Sequence, residues 1–361
     1  MSIRVLVVDD SSFMRRLLSK AVESAAGVEL VGVARDGVEA VEMVGSLDPD
    51  VVTLDIEMPR KNGLDVLRSI KKGSSKRPAV VMCSSLTTEG SDATLEALRL
   101  GAADFIAKDS SFSVKDGDSF QREVLAKIRA VGPRSVSARK NAAAPKVEAP
   151  SFPRPSSVKV PRDTRVVVVG SSTGGPPVLD ALVRSLPDDF ALPVVIAQHM
   201  PELFTKSLTK RLDSLTSLSV RLAGPGLLLE PGTVTVGLGG SHVVVSSRGG
   251  VDRVSIESEP ENALYKPDVD ELFASAAEHF GPRAVGIMLT GMGDDGADGA
   301  GRIRERGGVV LAQDEETSVV YGMPRAVAER GHANGVGSPP ELFAFLRALS
   351  GAATRSARRS A

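Results

Sequence analysis

Ile3-Arg4-Val5-Leu6-Val7-Val8-Asp9-Asp10 is the stretch whose reading decides the fold. Its aliphatic run has one polar interruption and no alternation, the pattern of a strand buried on both faces in a parallel sheet covered by helices. Similar runs recur at 28–34, 50–54, 78–83 and 103–107. The intervals between them read as helices. In the first, Phe13, Leu17, Leu18, Ala21 and Val22 fall at three- and four-residue steps and form one apolar stripe. Strands alternating with amphipathic helices predict a (βα)5 doubly wound domain over residues 1–131, closed by a helix over 118–130.

From 132 to 163 the pattern stops. These 32 residues hold six Pro, five Ala, five Ser and seven Lys or Arg against two acids, too little apolar bulk to fold alone. A basic linker is expected, spanning about 30 Å as a coil and about 105 Å at full stretch. Strand signals resume at 165–169, 193–197, 218–222, 233–236, 242–246, 283–289 and 309–312. They predict a second doubly wound α/β domain over 164–350, with a small antiparallel excursion within 218–256 and a helix over 267–280. Residues 351–361 are small and basic and are expected to fray.

Composition narrows the function. With 44 Lys+Arg against 45 Asp+Glu the formal charge is −1, so no general attraction to nucleic acid or anionic lipid is expected. Aromatic residues are only 4% of the chain with no Trp, which makes base-stacking platforms hard to build. A single cysteine, Cys83, excludes an intrachain disulfide and multi-cysteine metal sites, and fits a reducing cytoplasm. The longest apolar runs are strand-sized, so neither membrane insertion nor a signal peptide is expected.

In an open parallel sheet the working crevice lies beyond the carboxyl ends of the strands. That rule selects Asp9 and Asp10 after the first strand, Asp55 after the third, Ser84 after the fourth and Lys108 after the fifth. Each acid alone reads equally well as a helix cap or a solvated charge. Together, three converging carboxylates are most easily tolerated around a hard divalent cation such as Mg²⁺. A carboxylate beside that cation can attack a phosphoryl group whose oxygens Lys108 and the Ser84 hydroxyl hold. Val8-Asp9-Asp10, Leu54-Asp55-Ile56-Glu57-Met58-Pro59, Ser84 and Lys108 resemble the receiver domain of two-component response regulators. The resemblance implies that Asp55 is the phosphoacceptor, Asp10 and Asp55 direct Mg²⁺ ligands with Asp9 beside them, and Phe105 the aromatic switch residue. Asp109 departs from the Pro that usually follows the lysine.

The second domain opens with Val166-Val167-Val168-Val169-Gly170-Ser171-Ser172-Thr173-Gly174-Gly175-Pro176. A dinucleotide fingerprint fails because Ser172 occupies its second Gly position, and a Walker loop lacks its Gly-Lys-Ser/Thr ending. Gly170-x-Ser172-x-Gly174 between a buried strand and a helix fits a nucleophile turn. A serine hydroxyl needs a base, itself oriented by a carboxylate. Gln198-His199 follows one apolar strand and Gly293-Asp294-Asp295-Gly296 follows another, whereas His242, His279 and His332 have no such setting. The order Ser, His, Asp departs from α/β-hydrolases that share the turn, where the acid precedes the histidine. A calcium loop from Asp294 to Glu305 fails because Gly296 takes its third position and a strand, not a helix, precedes it.

Gly170–Gly175, Gln198-His199-Met200-Pro201, Leu289–Gly296 and Val319–Arg325 resemble the chemotaxis protein-glutamate methylesterase family, CheB, across nearly the whole chain. The resemblance implies Ser172 as nucleophile, His199 as general base and Asp295 as orienting acid. Backbone N–H groups at Thr173 and Met292 are the candidate oxyanion donors. Gly237–His242 and Lys266-Pro267-Asp268 depart from the family's usual pattern. The implied activity is phosphorylation-activated hydrolysis of glutamate methyl esters on chemoreceptor cytoplasmic helices, with deamidation of receptor glutamines. The implied partners are the methylated receptor and a histidine kinase phosphodonor, with no cofactor for the ester chemistry. Two rival readings of the second domain are a receiver-controlled nucleotide-binding effector and a non-catalytic interaction module.

Overall fold

A computed structural model of the chain describes residues 2–73, 78–108, 117–132, 152–261 and 263–360. Two compact units emerge, Met1–Ala149 and Pro150–Ala361.

In the first unit five parallel strands, β1 (Ile3–Val8), β2 (Val28–Ala34), β3 (Val51–Asp55), β4 (Ala79–Ser85) and β5 (Asp104–Lys108), lie in the order β2-β1-β3-β4-β5. Helices α1 (Ser12–Glu23), α2 (Gly37–Leu47), α3 (Gly63–Gly73), α4 (Thr88–Arg99) and α5 (Gly117–Val131) connect and close them, as the sequence predicts. Val5, Val7, Val51, Val81 and Ile106 are fully buried under a layer that includes Leu18, Val124 and Ile128. The α1 stripe differs in one place. Ser11 caps the helix by accepting a hydrogen bond from the Met14 N–H, and the resulting rotation buries Met14 and leaves Phe13 56% exposed. The strand order reverses between β1 and β3, which puts Asp9, Asp10 and Asp55 at the switch point.

The second unit is built on seven parallel strands, β6 (Val166–Ser171), β7 (Val194–Gln198), β8 (Ser219–Leu222), β10 (Thr233–Val236), β13 (Ala284–Met288), β14 (Val309–Gln313) and β15 (Gly335–Gly337). Their order is β15-β14-β13-β6-β7-β10-β8. The antiparallel excursion is real but narrower than expected: only β9 (Leu227–Leu228), β11 (His242–Arg248) and β12 (Val251–Glu257) form it, while β8 and β10 pair in parallel within the main sheet. The helices are α6 (Gly175–Ser185), α7 (Glu202–Asp213), α8 (Val269–Phe280), α9 (Ala297–Glu305), α10 (Met323–Glu329) and α11 (Pro339–Ser360). Val269, Leu272, Phe273, Ala276 and Phe280 of α8 are buried with Val168 of β6 and Ile303 of α9 in one core. Helices α8 and α9 touch closely at Gly299, where a Cβ would lie 2.6 Å from the Phe273 Cβ and 2.8 Å from the Asp270 carbonyl.

Two expected boundaries shift. Within the expected linker, 133–151 lies outside the described residues, but 152–158 is attached to the second unit. Phe152 packs on its core, Pro155 is buried in a short 3-10 turn, and the Val336 N–H donates to the Pro153 carbonyl at 2.8 Å. The segment is too poor in apolar groups to fold alone, yet it needs no core of its own beside the β15 edge. The expected fraying tail is helical in backbone as far as Ser360, where Ala and Arg are good helix formers.

Candidate active and phosphoacceptor sites

In the first unit the switch point brings together four of the predicted side chains. One carboxylate oxygen from each of Asp9, Asp10 and Asp55 lies within 4.8 Å of the others. Asp9 and Asp55 are buried and Asp10 is exposed. The Lys108 ammonium reaches Asp9 Oδ2 and Asp55 Oδ1, both at 2.7 Å. Burial pushes Asp55 up to about 6 against the opposing pull of Lys108, with Asp9 and Asp10 adding to the rise. Burial pulls Lys108 down, but Asp55 and Asp9 outweigh it and hold the ammonium above its ordinary value. A cluster with one ammonium for three carboxylates suits an added oxygen-loving cation, so the residues fit Mg²⁺. Ser84 is fully buried and its hydroxyl donates to the Gly90 carbonyl at 3.0 Å. Phe105 is buried with the Lys127 ammonium 5.3 Å from its ring centre. Asp109 lies outside the described residues. Cys83 is buried and its thiol is pushed up to about 12 by that burial, which leaves it inert.

In the second unit Ser172, His199 and Asp295 leave three neighbouring strands at one end. Ser171 of β6 pairs with Gln198 of β7, and Gly170 pairs with Met288 of β13. The next residues continue the register: the His199 N–H donates to the Ser171 carbonyl at 3.0 Å and the Ser172 N–H to the Thr290 carbonyl at 3.0 Å. Beyond Thr290, Gly291 lies against Ser172: a Cβ there would meet the serine Cβ at 2.9 Å. Gly174 caps α6 with φ +78°, a left-handed turn that favours glycine.

His199 Nε2 lies 2.6 Å from Asp295 Oδ2. The same carboxylate accepts the Val269 N–H at 2.8 Å and the Asp270 N–H at 2.9 Å, so it sits on the N-terminus of α8. Burial would raise the Asp295 pKa, but the His199 hydrogen bond and charge, with the two N–H groups, hold it below the usual carboxylate range. An ionised acceptor fixes the proton of the neutral imidazole on Nε2 and leaves a lone pair on Nδ1. His199 Nδ1 is buried and has no hydrogen-bond partner among the described residues.

Several supporting groups escaped the sequence reading. Tyr265 stacks on His199, with ring centres 4.2 Å apart and planes at 10°. Gln198 accepts the Ser171 hydroxyl at 2.6 Å and donates to the Ser172 and His199 carbonyls at 3.0 and 3.2 Å, bracing the two segments together. The Thr290 hydroxyl donates to the Thr173 carbonyl at 2.9 Å, and its N–H donates to Gln313 Oε1 at 2.8 Å. A buried glutamine that follows an apolar strand is the one signal from which this bracing was foreseeable; nothing local marks Tyr265.

Comparison with known proteins identifies the family. The CheB methylesterase family matches residues 167–346 and the response regulator receiver domain matches residues 5–114. A protein-glutamate methylesterase/protein-glutamine glutaminase of Oleidesulfovibrio alaskensis is 43% identical over 356 residues, covering 92% of this chain and 95% of its own length. Its namesake in Thermotoga maritima is 42% identical and covers 92% of this chain and 94% of its own length. The crystal structure of the Thermotoga maritima CheB methylesterase catalytic domain is similar with a TM-score of 0.50 and 39% identity, covering 52% of this chain and 98% of that one. On these grounds the chain belongs to the protein-glutamate methylesterase family whose members join a response-regulator receiver to a CheB hydrolase domain.

Proposed function

We propose that this chain hydrolyses glutamate methyl esters on the cytoplasmic helices of chemoreceptors through Ser172, His199 and Asp295, under the control of phosphorylation at Asp55. The observation that carries the reading is the imidazole of His199, held at Nε2 by an ionised Asp295 and carrying an unpartnered Nδ1 beside the strand end that bears Ser172.

The chemistry follows from that tautomer. Ser172 Oγ attacks the ester carbonyl carbon while His199 Nδ1 takes its proton, and Asp295 stabilises the imidazolium that forms. The N–H groups of Thr173 and Met292 receive the oxyanion, each worth roughly 10²–10³ in rate. Nδ1–H then protonates the departing methoxide, giving methanol and an acyl-serine. Water, deprotonated by the same nitrogen, returns the free carboxylate. A receptor glutamine passes through the same acyl-serine with ammonia leaving, which accounts for the second activity in the relatives' name.

In the receiver, Asp55 is the phosphoacceptor, and Asp10 and Asp55 would hold Mg²⁺ with Asp9 beside them. The cation supplies charge neutralisation for the carboxylates and the incoming phosphoryl oxygens. Lys108 and the Ser84 hydroxyl would hold the phosphoryl oxygens, and Phe105 is the aromatic switch residue. A histidine kinase is the phosphodonor. No described helix is long and apolar enough to cross a membrane, and the protein works in the cytoplasm on the receptor's cytoplasmic face. Methanol release from methylated receptor, with and without a small phosphodonor, tests the reading. Turnover that rises with the donor and disappears in Ser172→Ala supports it, and release that survives in the folded Ser172→Ala variant overturns it.

A further inference from the structure

A second cluster of acids surrounds the orienting carboxylate. One oxygen from each of Asp268, Asp270 and Asp295 lies within 4.8 Å of the others. Asp268 is the N-cap of α8 and accepts the Glu271 N–H through Oδ1 at 3.0 Å. Asp270 Oδ1 accepts the Gly299 N–H at 2.6 Å, while Asp295 takes the Val269 and Asp270 N–H groups. The cations nearby are committed elsewhere. Arg330 pairs with Asp294 and Asp298, and the Lys266 ammonium donates to the Ser258 carbonyl. Among the described residues His199 is the one basic side chain paired with this cluster.

Three carboxylates this close, with one imidazole and a helix N-terminus to offset them, do not all stay ionised near neutral pH. Two unit charges at 4.8 Å repel by the equivalent of about 2.5 pH units at an effective dielectric of ~20. The resulting proton cannot rest on Asp295, which the His199 hydrogen bond and two N–H groups hold as the anion. Burial and the Asp295 charge also raise Asp270, but the Gly299 N–H holds its anion at 2.6 Å, closer than the 3.0 Å of the Glu271 N–H on Asp268. Asp268 is left as the member that carries it.

We propose that Asp268 is a positioning residue of the esterase: its carboxyl carries a proton beside the Asp295 anion and thereby sets the basicity of His199. The inference rests on the esterase reading above. Burial and the Asp295 charge push Asp268 up to about 7, so its proton leaves for solvent near neutral pH. Once it has left, a second negative charge faces the imidazole through Asp295. The basicity of His199 and the stability of the imidazolium in the transition state both rise.

The test is the pH dependence of kcat/KM for methanol release by the full chain, in the wild type, Asp268→Asn and Asp268→Ser. Both substitutes keep a side-chain oxygen to cap α8, so loss of the cap is not what is measured. The expected result is a wild-type acidic limb shallower than one proton, because the ionised Asp268 holds the imidazolium and spreads the two deprotonations apart. Both variants should give a one-proton limb moved about one pH unit lower, and a plateau kcat about threefold lower. A ¹⁵N titration of the His199 ring should move in the same direction. Limbs that superimpose across the three proteins overturn the role given to the Asp268 proton. So does a wild-type profile that collapses onto that of Asp268→Asn when a divalent cation is added, since the cluster would then be a cation site. Absence of turnover in the wild type would instead refute the esterase reading, and the ¹⁵N titration would still decide the role of Asp268.

Discussion

Replacing Asp295 by Asn separates the two tasks that the structure gives this carboxylate. As the proposed orienting acid it holds the His199 Nε2–H at 2.6 Å, and as a cap it receives the Val269 and Asp270 N–H groups at the start of α8. An amide has one acceptor and one donor end. If its oxygen takes the place of Oδ2, the imidazole keeps its tautomer but the NH₂ group faces the Asp270 N–H; in the reverse placement it faces both His199 and Val269. Either way the negative charge that stabilises the imidazolium is gone. The expected loss in kcat is about 10⁴-fold, equivalent to about 5.5 kcal/mol of transition-state stabilisation. One orphaned buried N–H and a lost charge at a helix N-terminus cost a further ~2–3 kcal/mol of stability. For a domain of this size that lowers the Tm by about 4–12 °C. Methanol release and calorimetry on the same preparation read both. A variant within tenfold of the wild type in kcat refutes the assigned role of Asp295, and an unchanged Tm refutes the capping role.

Ser172→Ala removes a half-buried hydroxyl without a structural hydrogen bond and should lower ester hydrolysis by about 10⁴-fold with no fall in Tm; a folded variant that still releases methanol at near the wild-type rate excludes Ser172 as nucleophile. Asp55→Asn should abolish the rise in rate that a small phosphodonor produces, and an undiminished rise would show the donor acting elsewhere. Removing residues 1–140 should raise the basal rate if the unphosphorylated receiver obstructs the esterase crevice, and an equal or lower rate counts against obstruction. The raised pKa of Asp268 makes a stability prediction with a definite sign. Between the unfolded value near 3.9 and about 7 the native state keeps a proton that the unfolded chain has released. Stability therefore falls as pH rises through that window, and urea midpoints at pH 5 and pH 8 should differ more for the wild type than for Asp268→Asn. An equal difference in the two proteins would contradict the shift.

What the sequence made legible was whatever lies on one strand or just beyond it. The run from Ile3 to Val8 marks a doubly covered strand because burial on both faces removes alternation, and strand ends then point to Asp9, Asp55, Ser172, His199 and Asp295. Contacts created by register or by helix packing left no such trace. Tyr265 reaches His199 from a segment 66 positions away, and Asp268 meets Asp295 only because α8 begins against the loop that precedes α9. Periodicity turns Phe13 inward because Phe13 and Met14 both fit a helical stripe, whereas the Ser11 cap sets the rotation and buries Met14 instead. Strands of two or three residues such as β9 and β15 are too short for any period to show. Residues 152–158 read as tether because composition reports what a segment can bury by itself, not what it buries against a neighbour's edge.

The three groups of the proposed triad are not mounted alike. Serine and imidazole ride on adjoining rods of one sheet, stitched by the bond from His199 to the Ser171 carbonyl, so their separation is inherited from the sheet and outlasts every disturbance that leaves it intact. Asp295 hangs from a span hinged at Gly293 and Gly296, both left-handed, and is steadied by a different helix. Warming such an assembly unseats the acid before it parts the other two. Heat then damages this enzyme first as a drift in its acid–base behaviour, with the scaffold still standing.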